Sequence, residues 1–152
     1  MDRRTLLAGI AAASLGGIGA ARAAPSARVY AHRGLAIRGA DPVAYFRRGA
    51  EAAGRPGLAL DWAGAIWRFA EEARRAAFAA EPEAFAPQYG GYCAWAVAAK
   101  GSLASTRPET WSIVGGRLFL NYDEGVQALW NADRAGFIAE ADRRWPEVAA
   151  RG

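Results

Sequence analysis

Two short runs of mixed apolar and polar residues, at 58–62 and 65–69, flank Ala63-Gly64 and predict a β-hairpin. A second pair, 111–114 and 117–121, flanks Gly115-Gly116 and predicts another, because paired small residues with positive φ suit two-residue hairpin loops. Helical spacing fills the intervals. Asp41-Pro42 is a helix start, an acid that caps followed by proline at the first helical position, and Gly49 stops that helix after Val43, Tyr45 and Phe46. Residues 50–57 read as a loop punctuated by Gly and Pro, and 71–80 as a helix with Phe78 turned inward. Pro82 opens a further turn carrying Phe85, and the segment 87–91 breaks it. Residues 92–99 are apolar throughout and fit a short helix or a strand, ended by Gly101. Asp123 caps a helix carrying Val126, Leu129 and Trp130. A last amphipathic helix spans 133–145, with Phe137, Ile138 and Ala141 on one face and Pro146 as its stop.

The order of elements repeats. Shifting the chain by 52 positions lays residues 39–88 over 91–140 without a gap and gives 11 identities in 50. Four are alanine pairs, which an alanine-rich chain supplies freely. The rest include Phe85/Phe137 and, where turns and loops require them, Gly39/Gly91, Gly49/Gly101, Gly64/Gly116 and Arg55-Pro56/Arg107-Pro108. The expected fold class is therefore α+β: two β-hairpins with flanking short helices, an α-ββ-αα unit used twice about a pseudo-twofold axis within one compact domain.

The first 23 residues stand apart. Arg3-Arg4 precedes a Gly/Ala-rich apolar stretch, and Ala21-Arg22-Ala23 offers the small-x-small pattern that signal peptidase reads. Adjacent arginines before a weakly hydrophobic core point to the twin-arginine export machinery and hence to the periplasm. The stretch is too short and too glycine-rich for a stable membrane span, which takes about 20 apolar residues. Beyond it, 24–33 reads as a leader and 34–148 as the folded domain. Cleavage leaves 129 residues, one domain's worth.

Charge changes the picture little. The full chain carries 19 basic and 15 acidic residues, and without 1–23 the count is 16 against 14. Such a near-balance lacks the clustered Lys and Arg of a nucleic-acid footprint, so nucleic acid is not an expected partner. No Gly-x-Ser-x-Gly, His-Glu-x-x-His, Cys-x-x-Cys or phosphate loop occurs, and nothing points to an enzyme.

Candidate chemistry is confined to a few side chains. Cys93 is the one cysteine, so no intramolecular disulfide forms in a compartment that permits them. It is a packing residue, a metal ligand, or a thiol for redox or intermolecular pairing. His32, the one histidine, is a surface residue or the second member of a Cys/His pair for a soft ion such as copper. The aromatics Tyr89, Tyr92, Trp95, Trp111 and Tyr122 are either core or the walls of a small-ligand pocket.

The stretches 36–46, 67–69 and above all 78–97, with Ala86-Pro-Gln-Tyr-Gly-Gly-Tyr-Cys-Ala-Trp95 inside it, resemble the exported YHS domain-containing proteins. Gly116-Arg-Leu-Phe-Leu-Asn-Tyr122 and Trp145-Pro146 extend the resemblance over about 35–148. The wider YHS group includes heavy-metal modules with three cysteines, and the matching positions here are Ala44, Ala70 and Arg74. None can ligate a soft metal. The resemblance thus implies a non-enzymatic protein that binds metal or a small ligand by other residues, or an interaction protein whose metal site has decayed.

Overall fold

The computed structural model describes residues 28–151, so the segment read as a signal peptide lies outside the described residues. The fold is α+β. Strands β1 (Ala31–His32) and β2 (Leu35–Ala36) form a small ribbon, followed by a 3-10 turn at Ile37–Gly39 and helix α1 (Pro42–Arg47). Then come β3 (Arg55–Trp62), β4 (Ala65–Phe69), α2 (Glu72–Ala80) and the short α3 (Pro82–Phe85). A second 3-10 turn, Gln88–Gly91, leads into α4 (Ala94–Lys100), β5 (Trp111–Val114), β6 (Arg117–Leu120), α5 (Glu124–Asn131) and α6 (Arg134–Arg151).

The first four strands make one sheet in the order β1-β2-β4-β3, with β2 parallel to β4 and the other neighbours antiparallel. The second hairpin pairs only with itself. Three sequence expectations shift. Strand β3 begins at Arg55, inside the expected loop, because the chain bulges between Arg55 and Ala59 and so carries Pro56 and Gly57 without breaking the pairing. The ambiguous 92–99 segment is helix α4, ended by Gly101 in the left-handed conformation at φ 59°. Helix α6 continues through Pro146 to Arg151. The lost backbone hydrogen bond costs roughly 3 kcal/mol, but Trp145 and the buried Val148 pack on either side of the proline and keep the helix going.

The offset of 52 recurs in the backbone. Helices α1 and α4, strands β4 and β6, helices α2 and α5, and helices α3 and α6 begin at residues 42 and 94, 65 and 117, 72 and 124, and 82 and 134. Left-handed residues recur at the same spacing: Ile37, Arg38 and Gly39 at φ 50°, 52° and 87° match Tyr89, Gly90 and Gly91 at 57°, 63° and 82°. The hairpin turns Ala63-Gly64 and Gly115-Gly116 match likewise, at 51° and 78° against 58° and 74°. Single bonds repeat too, Asp41 N–H to Ala52 O at 2.8 Å answering Cys93 N–H to Ala104 O at 3.0 Å.

Each half has its own core. The first gathers Val43, Tyr45, Trp67, Phe69 and Phe78, and the second Tyr89, Val97, Phe119, Trp130 and Ala141. The aromatic pair Trp67/Phe78 of the first core, with ring centres 4.9 Å apart, has as its counterpart in the second Phe119/Trp130 at 5.4 Å, large and small rings exchanged. Strand β6 lies between them: alternation sends Leu118 and Leu120 into the first core and Phe119 into the second.

Candidate functional site: the paired caps at Asp41 and Cys93

Helices α1 and α4 are capped by residues 52 positions apart, Asp41 and Cys93, both fully buried. Asp41 Oδ1 accepts from Val43 N–H at 2.9 Å and Ala44 N–H at 3.3 Å, as an N-cap acid should. Its Oδ2 accepts from Ala70 N–H at 2.9 Å and from the Arg74 guanidinium at 3.3 Å. A buried carboxylate thus has four donors, one of them a cation (Arg74 side chain 15% exposed) that answers its charge.

Cys93 sits in the same cradle. Backbone N–H groups of Ala96, Tyr122 and Trp95 favour its thiolate, and these are the positional equivalents of Ala44, Ala70 and Val43. The equivalent of Arg74 is Val126, so no cation answers the charge a thiolate would carry. Burial dominates and pushes the Cys93 thiol up, the three N–H groups pull it down, and Asp123 nearby pushes it up again. The thiol is neutral at neutral pH and donates weakly to Asn121 Oδ1 at 3.6 Å, an oxygen that also takes Trp95 N–H at 3.1 Å. Asn121 is fully buried and its Nδ2 has no partner among the described residues.

The other sequence candidates do not join this cap. His32 lies in β1 opposite Leu35, and no hydrogen bond links it to Cys93. Among the described residues no group of three His, Cys, Asp or Glu side chains is arranged to hold a metal ion. The five pocket aromatics divide among different surroundings. Tyr89 packs on Phe119 and Trp145, with its hydroxyl on Asp142 at 2.8 Å. Tyr92 packs on Tyr30 and Trp145, and Trp95 lies under Lys100. Trp111 belongs to the first core beside Tyr45, and Tyr122 is 47% exposed. Only Tyr89 is buried in a core; Trp95 and Trp111 rest half-buried against the two cores, and Tyr92 and Tyr122 belong to neither. A cavity of about 270 Å³ is lined instead by Arg107, Glu109, Thr110, Asp123, Glu124 and Gly125, none of them expected as site residues.

Sequence reasoning missed two polar arrangements. One is the Arg74 ion pair, since the Asp-Pro signal announces the cap but not a partner 33 residues away. The other joins β6 to α6: Arg117 grips Asp142 with two nitrogens at 2.7 and 3.0 Å and Gln88 Oε1 at 2.9 Å, while Tyr89 donates to the same carboxylate. Arg117 is the main reason the Asp142 carboxyl is held below its usual range.

Three buried protons set the alkaline limit. Burial raises the thiol of Cys93 and the phenols of Tyr45 and Tyr89, with nearby acids adding to each. A group whose pKa rises on folding contributes stability that is complete below its unfolded value and disappears as pH climbs toward the folded one. The unfolded values are 9.0 for the thiol and 10.0 for the phenols, so the urea midpoint should hold to about pH 8.5 and fall steadily above it. A midpoint unchanged at about pH 10.5 would mean that these protons are not buried.

No protein-family model matches the chain, and neither the curated proteins nor the solved structures give a match. The fold and its two caps define an α+β domain of two like halves, each opening its first helix on a buried residue, Asp41 or Cys93. Among the described residues no helix is long and apolar enough to cross a membrane.

Proposed function

We propose that this is an exported periplasmic domain of the YHS kind that acts as a non-enzymatic interaction or structural module, its soft-metal corner replaced by an internal ion pair. One observation carries the reading. Ala44, Ala70 and Arg74, the positions that the resemblance equates with metal-binding cysteines, all converge on Asp41: two through their backbone N–H groups and the third through its guanidinium. The positive charge at that corner is a side chain of the protein itself, and it leaves no soft donor for a metal. The separation of the aromatic candidates, with Tyr89 and Trp95 at the second core, Trp111 at the first and Tyr122 exposed, supports the same reading.

The competing reading is a carrier of copper or another soft metal through Cys93, with His32 or a partner chain completing the site. Its support is the set of backbone N–H groups around the sulfur, which favour a thiolate. Elemental analysis separates the two. Protein matured and purified from its native periplasm should carry no stoichiometric transition metal. One equivalent of copper or zinc per chain, lost in Cys93→Ser, would replace the first reading with the second.

A further inference from the structure

We infer that the outer face of the first sheet, made by Leu35, Ala59, Asp61, Ile66 and Arg68, is a docking surface for a second copy of this chain, joined about a twofold axis. The inference goes beyond the functional reading above: metal content tests that reading, and oligomeric state tests this one.

The internal repeat shows what such a face does in this fold. Across the first hairpin Asp61 lies opposite Ile66 and Ala59 opposite Arg68, and Leu35 of β2 lies opposite Ile66 on its other side. Residues directly opposite share a face of a sheet, as do residues two apart along a strand, so the five lie together. At the offset of 52, Ala59, Asp61, Ile66 and Arg68 become Trp111, Ile113, Leu118 and Leu120. All four of those pack against the core of the first half, where the Trp111 ring meets that of Tyr45 at 5.3 Å. The second hairpin thus uses this face to join the halves. On the first hairpin the same face is left over. Leu35, Ala59 and Ile66 belong to neither core, and Ile66 is 39% exposed.

The charges on this face complement one another. Neither Asp61 nor Arg68 forms an ion pair among the described residues, and Arg68 Nε has no acceptor there. The two are diagonal neighbours. Ile66 sits beside both, across the ladder from Asp61 and two positions along β4 from Arg68. A twofold axis that lays Asp61 of one copy over Arg68 of the other therefore also brings the two Ile66 side chains together. Every contact then occurs twice, and two acid–guanidinium pairs flank an aliphatic centre. A purely acidic partner would answer Arg68 but set like charge against Asp61, and a basic partner the reverse. A second copy answers both with one surface. The face is small and carries two charges, so the dimer is a reversible, salt-sensitive one rather than an obligate pair.

Sedimentation velocity of the full chain, from about 1 to about 300 µM at low ionic strength, tests this. A monomer–dimer equilibrium is expected, weakened by about tenfold in roughly 0.5 M salt. Ile66→Asp should abolish the dimer. Asp61→Arg and Arg68→Asp, which set like charges against each other across the axis, should each weaken it by about tenfold or more, and the two together should recover most of the loss. Leu129→Asp, on α5 and 53% exposed, should leave it unchanged. Urea midpoints taken alongside show that each variant is folded. A chain that stays monomeric over the whole range overturns the proposal. So does a dimer that survives Ile66→Asp, one that Leu129→Asp weakens equally, or a double variant no better than the singles. Should the Arg68 variants not fold, Asp61→Arg and Ile66→Asp decide: weakening by both supports the face, and a wild-type dimer in either overturns it.

Discussion

Asp41→Ala should destabilise the protein by about 3–5 kcal/mol, the range seen when one member of a buried ion pair is removed. The substitution takes acceptors from three backbone N–H groups, those of Val43, Ala44 and Ala70, and leaves the Arg74 guanidinium largely buried without its carboxylate. Asn at the same position keeps an oxygen for the helix cap but not the charge, so it should cost less than Ala. Adding Arg74→Met to Asp41→Asn should recover part of the loss, because the stranded cation is what the single variant leaves behind. Urea unfolding of the four proteins at neutral pH measures this. A cost below about 1 kcal/mol for Asp41→Ala would place the carboxylate in the range of exposed ion pairs and remove the basis for a replaced metal corner.

Phe78→Ala and Trp130→Ala should each cost about 3–5 kcal/mol, because each deletes the ring at the centre of one core. Both residues are fully buried and 52 positions apart, and each packs against the other ring of its pair, Trp67 or Phe119. Trp130→Phe should cost far less than Trp130→Ala, because Nε1 of Trp130 has no acceptor among the described residues and its loss strands nothing. Thermal unfolding should show one transition in every variant, since β6 feeds both cores. Two separate transitions in Trp130→Ala would mean that the halves fold independently.

Much of this architecture is readable along the chain because it is local. The turns at Ala63-Gly64 and Gly115-Gly116 and the caps at Asp41 and Asp123 each depend on residues within about four positions, and the structure has them where the sequence predicts. The repeat is readable because turn chemistry preserves glycines even where other identities have drifted. Features that depend on distant partners are not readable. Nothing near Asp41 announces Arg74. Pro146 is a local stop signal overridden by packing on both sides. The candidate site suffers most, since a lone cysteine just after a glycine pair looks the same in a core as at a metal, and only its surroundings tell the two apart. The matching of Cys93 to Asp41 follows from the offset of 52, but its meaning requires knowing what Asp41 holds.

The two halves resemble each other, yet the bonds between them are not mirrored. Arg38 donates to Thr106 O and the Tyr45 hydroxyl to Pro108 O, both from the first half to backbone carbonyls of the second, while Arg117 of the second donates back to the Gln88 side chain. The reciprocal donors do not exist, for the equivalents of Arg38 and Tyr45 are Gly90 and Val97. Two identical half-chains paired about a twofold axis form matched seams, in which every such donor appears twice. The seam here is that of a joined pair in which the Arg38 and Tyr45 arms meet backbone sockets that have no counterpart on the other side. Cutting the chain between them would therefore leave different unsatisfied groups on each fragment, and neither would be a smaller copy of the whole.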